Sequence, residues 1–261
     1  MKIISNILFV YLIVLVLMFS FQRDFIYFPQ PEIESPEFYG LNNFEETRLP
    51  NNEGVEVKAW HNDFKERETT ILYFHGNAET LSNNVDLYKK LDAAGLGVFA
   101  VTYRGYGGSE GKPSETGNYI DAEAAIKTIS RDIDPSKLVV VGRSLGTGIA
   151  VDLAAKHDLG GVVLISPFTS LADIGAKQFP FIPARYLLLD RYDSLQKIAK
   201  VDEKLRIVHG SKDNLVPIAL GKELYNAANE PKEFITLEGV GHNDVSLDAI
   251  ADNIIGFTNA R

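Results

Sequence analysis

The run Leu138-Val139-Val140-Val141 leads straight into Gly142-Arg143-Ser144-Leu145-Gly146. This junction constrains the fold more than any other stretch of the chain. The apolar, mostly β-branched run reads as a strand buried on both faces, and residues 147–157 read as a helix. Only a sharp turn joins the two. Such a turn forces its central serine into a sparsely populated backbone geometry, so small residues are needed two positions to either side. Gly142 and Gly146 meet that need. The serine hydroxyl then stands above the strand end at a helix N-terminus, where N–H groups and the helix dipole favour negative charge. The competing reading is a glycine-rich turn with an idle serine. The strand before and the helix after favour a nucleophile elbow.

Strand-like and helix-like stretches alternate along most of the chain. Residues 44–49 and 55–61 read as a hairpin: Val55-Glu56-Val57-Lys58-Ala59-Trp60 alternates after the turn Asn51-Asn52-Glu53-Gly54. Further strands are expected at 70–74, 97–103, 138–141, 161–165, 204–208 and 233–237. Helices are expected at 81–94, 119–131 and 147–157; in the second, Ala122, Ala125, Ile126 and Ile129 fall on one face. Apolar strands alternating with helices imply an α/β class, with a mostly parallel central sheet covered by helices on both faces. In such sheets the site lies beyond the carboxyl ends of the strands. The segment 168–200 breaks the rhythm with Phe179-Pro180-Phe181-Ile182-Pro183 and Tyr186-Leu187-Leu188-Leu189. It reads as a small cap lining an acyl pocket, against the plainer reading of one covering helix with a proline-bent start.

Upstream, residues 3–21 are apolar apart from Ser5, Asn6, Ser20 and the borderline Tyr11. As a helix they rise about 28 Å, close to the hydrocarbon thickness of a bilayer. A cleaved signal peptide is the alternative. Against it, Met18-Phe19-Ser20-Phe21 lacks the small residues of a cleavage site, and only Lys2 and the α-amino group supply a positive flank. The expected organisation is a membrane anchor at 1–22, a juxtamembrane linker at 23–36 containing Pro29, Pro31 and Pro36, and one domain at 37–261. Lys2, set against an Arg23 offset by Asp24, puts the N-terminus on the cytoplasmic side and the domain outside the cytoplasm. Phe25, Tyr27 and Phe28 fit the membrane interface and packing on the domain equally well. A net charge of −9 argues against nucleic acid as a partner. The absence of cysteine excludes disulfides, cysteine-liganded zinc and a thiol nucleophile.

A serine hydroxyl needs a base within hydrogen-bond reach, and that base needs an orienting acid. Five histidines are available: His61, His75, His157, His209 and His242. His61 and His157 read as solvated. His75 and His209, each in a His-Gly pair at a strand end, read as rings bonded to loop backbone. His242 follows the last strand in Glu238-Gly239-Val240-Gly241-His242, where two glycines let the loop turn the imidazole across the sheet top; it is the expected base. The acid falls between serine and histidine in this chain order. That selects Asp213, in the loop His209-Gly210-Ser211-Lys212-Asp213, whose alternative role is a turn or helix cap. Asp173, Asp190, Asp193 and Asp244 are weaker rivals. A tetrahedral oxyanion needs two preorganised N–H donors. Leu145, after the serine, supplies one, and Asn77, beyond His75-Gly76, the other. Because both are main-chain donors, Asn77→Ala is expected to leave activity largely intact. Arg143 reads as pairing with a carboxylate beneath the elbow, against the alternative of binding an anionic group. No metal-ligand cluster and no phosphate-cradling GxxxxGK[ST] occur, so no cofactor is expected.

The set His75-Gly76-Asn77-Ala78, Tyr103-Arg104-Gly105-Tyr106-Gly107, Gly142-Arg143-Ser144-Leu145-Gly146, the Asp213 loop and Gly241-His242 resembles the α/β-hydrolase superfamily. Together with Ile26-Tyr27-Phe28-Pro29 behind an apolar N-terminus, it is similar to the Bem46-like branch. The resemblance spans about residues 25–257. It implies an α/β-hydrolase fold, a Ser144-Asp213-His242 triad and an oxyanion hole at Leu145 and Asn77. The branch is similar to membrane-associated serine hydrolases that include protein depalmitoylases, but no one substrate carries over. The expected activity is hydrolysis of acyl esters or thioesters through an acyl-enzyme. Two alternatives stand beside it: a peptidase or amidase on the same scaffold, and a non-catalytic binding module.

Overall fold

The computed structural model describes residues 2–260. Among them, strands β1 (Glu45–Pro50), β2 (Glu56–His61), β3 (Thr70–Phe74), β4 (Gly97–Val101), β5 (Leu138–Arg143), β6 (Gly161–Ile165), β7 (Leu205–Gly210) and β8 (Lys232–Leu237) form one sheet. Its order is β1-β2-β4-β3-β5-β6-β7-β8. β1 runs antiparallel to β2, and β2 antiparallel to β4; every later pairing is parallel. The edge hairpin closes because Asn51 Oδ1 accepts the N–H groups of Glu53 and Val55 at 2.8 and 3.1 Å.

The helices are α1 (Lys2–Ser20), α2 (Gln22–Ile26), α3 (Val85–Ala93), α4 (Glu115–Ile129), α5 (Leu145–Ala154), α6 (Leu171–Gln178), α7 (Ala184–Leu187), α8 (Ser194–Lys197), α9 (Ile218–Ala227) and α10 (Leu247–Asn259). Several boundaries differ from the sequence expectation, for local reasons. α4 begins at Glu115 rather than 119 because the Ser114 hydroxyl accepts the Gly117 N–H at 3.1 Å. α3 is preceded by a 3₁₀ turn at Leu81–Asn84. α10 was not anticipated, although Ser246 caps it and Ile250, Ala251, Ile254 and Phe257 bury one face.

Strand periodicity divides the core. Leu72, Phe74, Val140, Val162 and Leu164 face the side covered by α4, α5 and α9. Ile71, Tyr73, Val139, Val141 and Val163 face the side where α3 packs on α10. Each such fully buried aliphatic side chain contributes roughly 1.5–3 kcal/mol. Both faces of β3, β5 and β6 are consumed by packing, so free polar groups appear only at the strand ends. There the cap segment lies over the cavity as two short helices, α6 and α7, rather than a single covering helix, while α8 packs beside α5 and α9.

α1 is long and apolar enough to cross a membrane by length and composition, and none of its residues is buried. The segment that follows it is pinned to the body. Tyr27 is 3% exposed, and its hydroxyl meets the Tyr192 hydroxyl at 3.0 Å and Asp190 Oδ2 at 3.2 Å. Arg23 pairs with the buried Asp190 at 2.8 Å. Of the three linker aromatics, Tyr27 therefore packs in the core, while Phe25 and Phe28 stay exposed.

Candidate active site

Ser144 sits between β5 and α5 with φ 49° and ψ −115°. This left-handed geometry is costly for a residue bearing a Cβ, and packing holds it there. A Cβ on Gly142 would overlap the Gly146 carbonyl, and one on Gly146 would overlap the carbonyl of Phe74 on β3. The two glycines thus let the turn close and let α5 start against the neighbouring strand. The Ser144 N–H donates to the Ile165 carbonyl of β6 at 2.9 Å. The turn is fixed from both sides.

The loops after β5, β7 and β8 bring three side chains together. Ser144 Oγ lies 2.9 Å from His242 Nε2, and His242 Nδ1 lies 2.6 Å from Asp213 Oδ2. Asp213 is acceptor-only, so it fixes the His242 proton on Nδ1 and leaves the Nε2 lone pair toward the serine. Asp213 makes the contacts of both readings the sequence allowed. Its Oδ1 accepts the N–H groups of Leu215 and Val216 at 3.0 and 2.7 Å, capping the turn before α9, while Oδ2 faces the imidazole. Burial alone would push this carboxyl up. Hydrogen bonds from His209 and His242, the charge of His242 and the Val216 N–H outweigh it and hold Asp213 below the usual carboxylate range.

The other histidines sit elsewhere. His75 is fully buried, bonded to the Gly76 carbonyl at 2.7 Å and the Thr102 hydroxyl at 3.1 Å, and burial holds it neutral. His209 bonds the Val216 carbonyl at 2.8 Å, and the same nitrogen lies 3.4 Å behind Asp213 Oδ2. That contact with the acid was not anticipated. His157 pairs with Glu123, and His61 stacks on Phe99. The rival aspartates are engaged outside the site: Asp173 with Arg185, Asp190 with Arg23, Asp193 with Arg191, and Asp244 with the Gly241 N–H.

Leu145 and Asn77 line the same cavity as Ser144 and His242. The Asn77 side chain, for which the sequence suggested no role beyond the main-chain N–H, is fully engaged. Its Oδ1 accepts the Tyr106 hydroxyl at 2.6 Å and the N–H groups of Ala78 and Phe28 at 3.1 and 3.2 Å, and its Nδ2 donates to the Ile26 carbonyl at 2.6 Å. The side chain ties the segment after α1 to the loop carrying the Asn77 N–H. A second tie went unread in the sequence. Glu79 accepts the Gly76 N–H at 3.1 Å and pairs with Arg143 at 2.8 Å, clamping this loop to the residue before the serine. Arg143 therefore takes the expected structural role.

The cavity measures about 750 Å³ and is mainly apolar. Its floor is the strand-end cluster. Its roof comes from the cap, through Ile174, Phe179, Ile182 and Leu188, and from Met18 and Phe19 at the end of α1. The contribution of α1 had no signal in the sequence, because a membrane-length apolar run looks alike whether or not it touches the domain. No cluster able to hold a metal ion occurs among the described residues.

Residues 65–189 match the family described as serine aminopeptidase, S33. The chain is 38% identical over 252 residues to the uncharacterized protein Rv2307c of Mycobacterium tuberculosis, covering 91% of this chain and 88% of that one. It is 35% identical over 181 residues to human alpha/beta hydrolase domain-containing protein 17B, covering 68% of this chain and 62% of that protein. Among solved structures, the Pyrococcus furiosus esterase Pf2001 superimposes with a TM-score of 0.72 at 17% identity, over 89% of this chain and 96% of that one. Sheet order, elbow geometry and these relatives converge: the chain belongs to the α/β-hydrolase superfamily.

Proposed function

We propose that the protein is a serine hydrolase that cleaves carboxylic esters or thioesters of apolar acyl groups through an acyl-enzyme. One observation carries the reading: the continuous line Ser144–His242–Asp213 lies at the floor of an apolar cavity large enough for an acyl chain. As Ser144 Oγ attacks the acyl carbon, its proton passes to His242 Nε2. Asp213 holds the imidazolium that forms. The N–H groups of Leu145 and Asn77 receive the oxyanion. Collapse of this intermediate breaks the bond to the alcohol or thiol, which leaves with the proton from His242. Water, deprotonated by His242, then attacks the acyl-enzyme, and Ser144 regains its proton as the carboxylic acid departs.

An amidase reading draws on the serine aminopeptidase family match. An aminopeptidase needs a free carboxylate for the substrate ammonium. The cavity's Glu79 is already engaged by Arg143, the Gly76 N–H and Asn84, so the ester reading ranks first. We assign α1 as the membrane anchor, residues 23–36 as a tether folded onto the domain, and, from the Lys2 flank, the catalytic body to the non-cytoplasmic side. The purified full chain is expected to hydrolyse p-nitrophenyl acyl esters and to label with a fluorophosphonate. Ser144→Ala is expected to abolish labelling and cut kcat by about 10⁴-fold or more. Retained activity in that variant, or faster cleavage of a peptide library than of any ester, overturns the assignment.

A further inference from the structure

We propose that the cap tip, residues 179–183, is immersed in the hydrocarbon of the bilayer beside α1, so that the cavity takes its acyl chain directly from one leaflet. The proposal rests on reading α1 as an anchor and the cavity as an acyl site.

The cap does not merely sit above the domain; it runs along α1. Tyr11, Leu15, Met18 and Gln22 recur at helical spacing on one face. Leu15 and Met18 are the α1 residues that lose exposure. Gln22 is buried; it donates to the Leu187 carbonyl at 3.4 Å and accepts the Leu189 N–H at 2.7 Å. Farther along, the Tyr11 hydroxyl donates to the Phe181 carbonyl at 2.6 Å. Tyr11 is the midpoint of α1, about 14 Å from its Ser20 end at 1.5 Å per residue. Whatever medium surrounds the second half of α1 therefore surrounds the cap tip as well. If α1 spans a bilayer, that medium is lipid.

The tip has the chemistry this requires. Phe181 and Tyr186 are 85% and 89% exposed, with Phe179 and Leu189 more than half exposed. No charge falls between Phe179 and Ala184; of the flanking charges, Arg185 is neutralised by its 2.8 Å pair with Asp173, and Lys177 has a long apolar stem that can lie along the cap while its ammonium seeks water. Irregular backbone is costly in hydrocarbon unless its polar groups are paired. Pro180 and Pro183 carry no N–H. The N–H groups of Phe179, Ile182 and Ala184 donate to Gly175, Phe179 and Ile182 at 2.7–2.9 Å. The Phe181 carbonyl is satisfied by Tyr11. The Phe181 N–H and the Pro180 carbonyl are what remains without a partner among the described residues. In water the Tyr11–Phe181 bond contributes little. In lipid it satisfies two groups that have no other recourse. A second copy or a soluble partner on this patch would have to displace the lipid that α1 itself demands.

The chain has no cysteine, so single cysteines can be placed at will. The full-length protein carrying Phe181→Cys, labelled with a polarity-sensitive fluorophore, would be reconstituted in phosphatidylcholine vesicles. Lys137→Cys, on the exposed turn at the opposite end of β5, serves as the reference. Blue-shifted emission quenched by mid-chain spin-labelled lipid at 181, and not at 137, is the expected result. Aqueous emission at both positions overturns immersion. In parallel, Phe181→Asp combined with Tyr186→Asp is expected to slow hydrolysis of a bilayer-resident acyl ester more than about tenfold, because carboxylates must enter hydrocarbon. Hydrolysis of soluble p-nitrophenyl acetate should stay unchanged. Equal rates on the bilayer ester overturn leaflet access. The fluorescence arm needs no catalysis, so loss of the hydrolase assignment through Ser144→Ala and loss of immersion are separately visible.

Discussion

The floor and roof of the cavity are built on opposite plans. The polar groups that shape the floor are each held by several contacts. Ser144 is held by two strands and two glycine contacts, Asp213 by two N–H groups and two imidazoles, and the Asn77 loop by four side-chain bonds and the Glu79–Arg143 clamp. The roof consists of apolar side chains on helices of four to eight residues and on the end of α1. Hydrogen bonds fix positions to tenths of an ångström, whereas apolar contacts fix only shape and volume. On the proposed function, the sheet fixes the reacting groups and the cover shapes the space for the acyl group.

Substitutions that separate these plans test the contrast. The largest effect belongs to the floor. Asp213→Asn keeps the shape but permits the wrong imidazole tautomer, and a loss of about 10⁴-fold in kcat is expected. A loss under about tenfold would mean that the line of contacts is not a proton relay. Because Asp213 is held low, its charge is present above the usual carboxylate range and lost only well below it. An acid limb of kcat/KM above about pH 4 must therefore report another group, and a pH–rate profile checks this. Next, Asn77→Ala frees the loop while sparing its N–H. A fall of about 10–100-fold in kcat with KM nearly constant is expected, bounded by the roughly 3 kcal/mol of one oxyanion donor. Equal effects on both parameters would move Asn77 from positioning to substrate binding. On the roof, Ile174→Trp should lower kcat/KM for long acyl esters about tenfold and that for acetyl esters less than about twofold, read from a chain-length series. A uniform drop would break the division between floor and roof. Smallest, Tyr27→Phe removes one buried hydroxyl from the tether. It should cost about 1 kcal/mol of stability with kcat unchanged, measured by denaturant unfolding.

Much of the floor was legible in the sequence because its constraints are local. A turn as tight as Gly142-Arg143-Ser144-Leu145-Gly146 needs its glycines, and a parallel sheet needs its continuous apolar runs, so β3 and β6 were read to the residue. Chain order then left few partners for the serine. The missing parts depend on contacts across long sequence separations. Nothing near Asn77 announces that its amide will meet Ile26 and Phe28, and nothing near Met18 announces a cavity wall. Glu79, three residues beyond Gly76, carries a readable turn signal, as does the Ser246 cap of α10. The Ser114 cap, likewise, moved the start of α4 by a turn.

The bonds from Asn77 to Ile26 and Phe28 bear on what removal of α1 would leave behind. A protease cutting near Phe21 would separate α1 from a body that still carries both backbone partners of Asn77, together with the Arg23–Asp190 pair. A cut a few residues later, after Phe28, would leave those partners on the severed N-terminal piece and Asn77 on the body. Where the chain is nicked, within less than ten residues, then decides whether the Asn77 loop keeps its ties to the segment after α1.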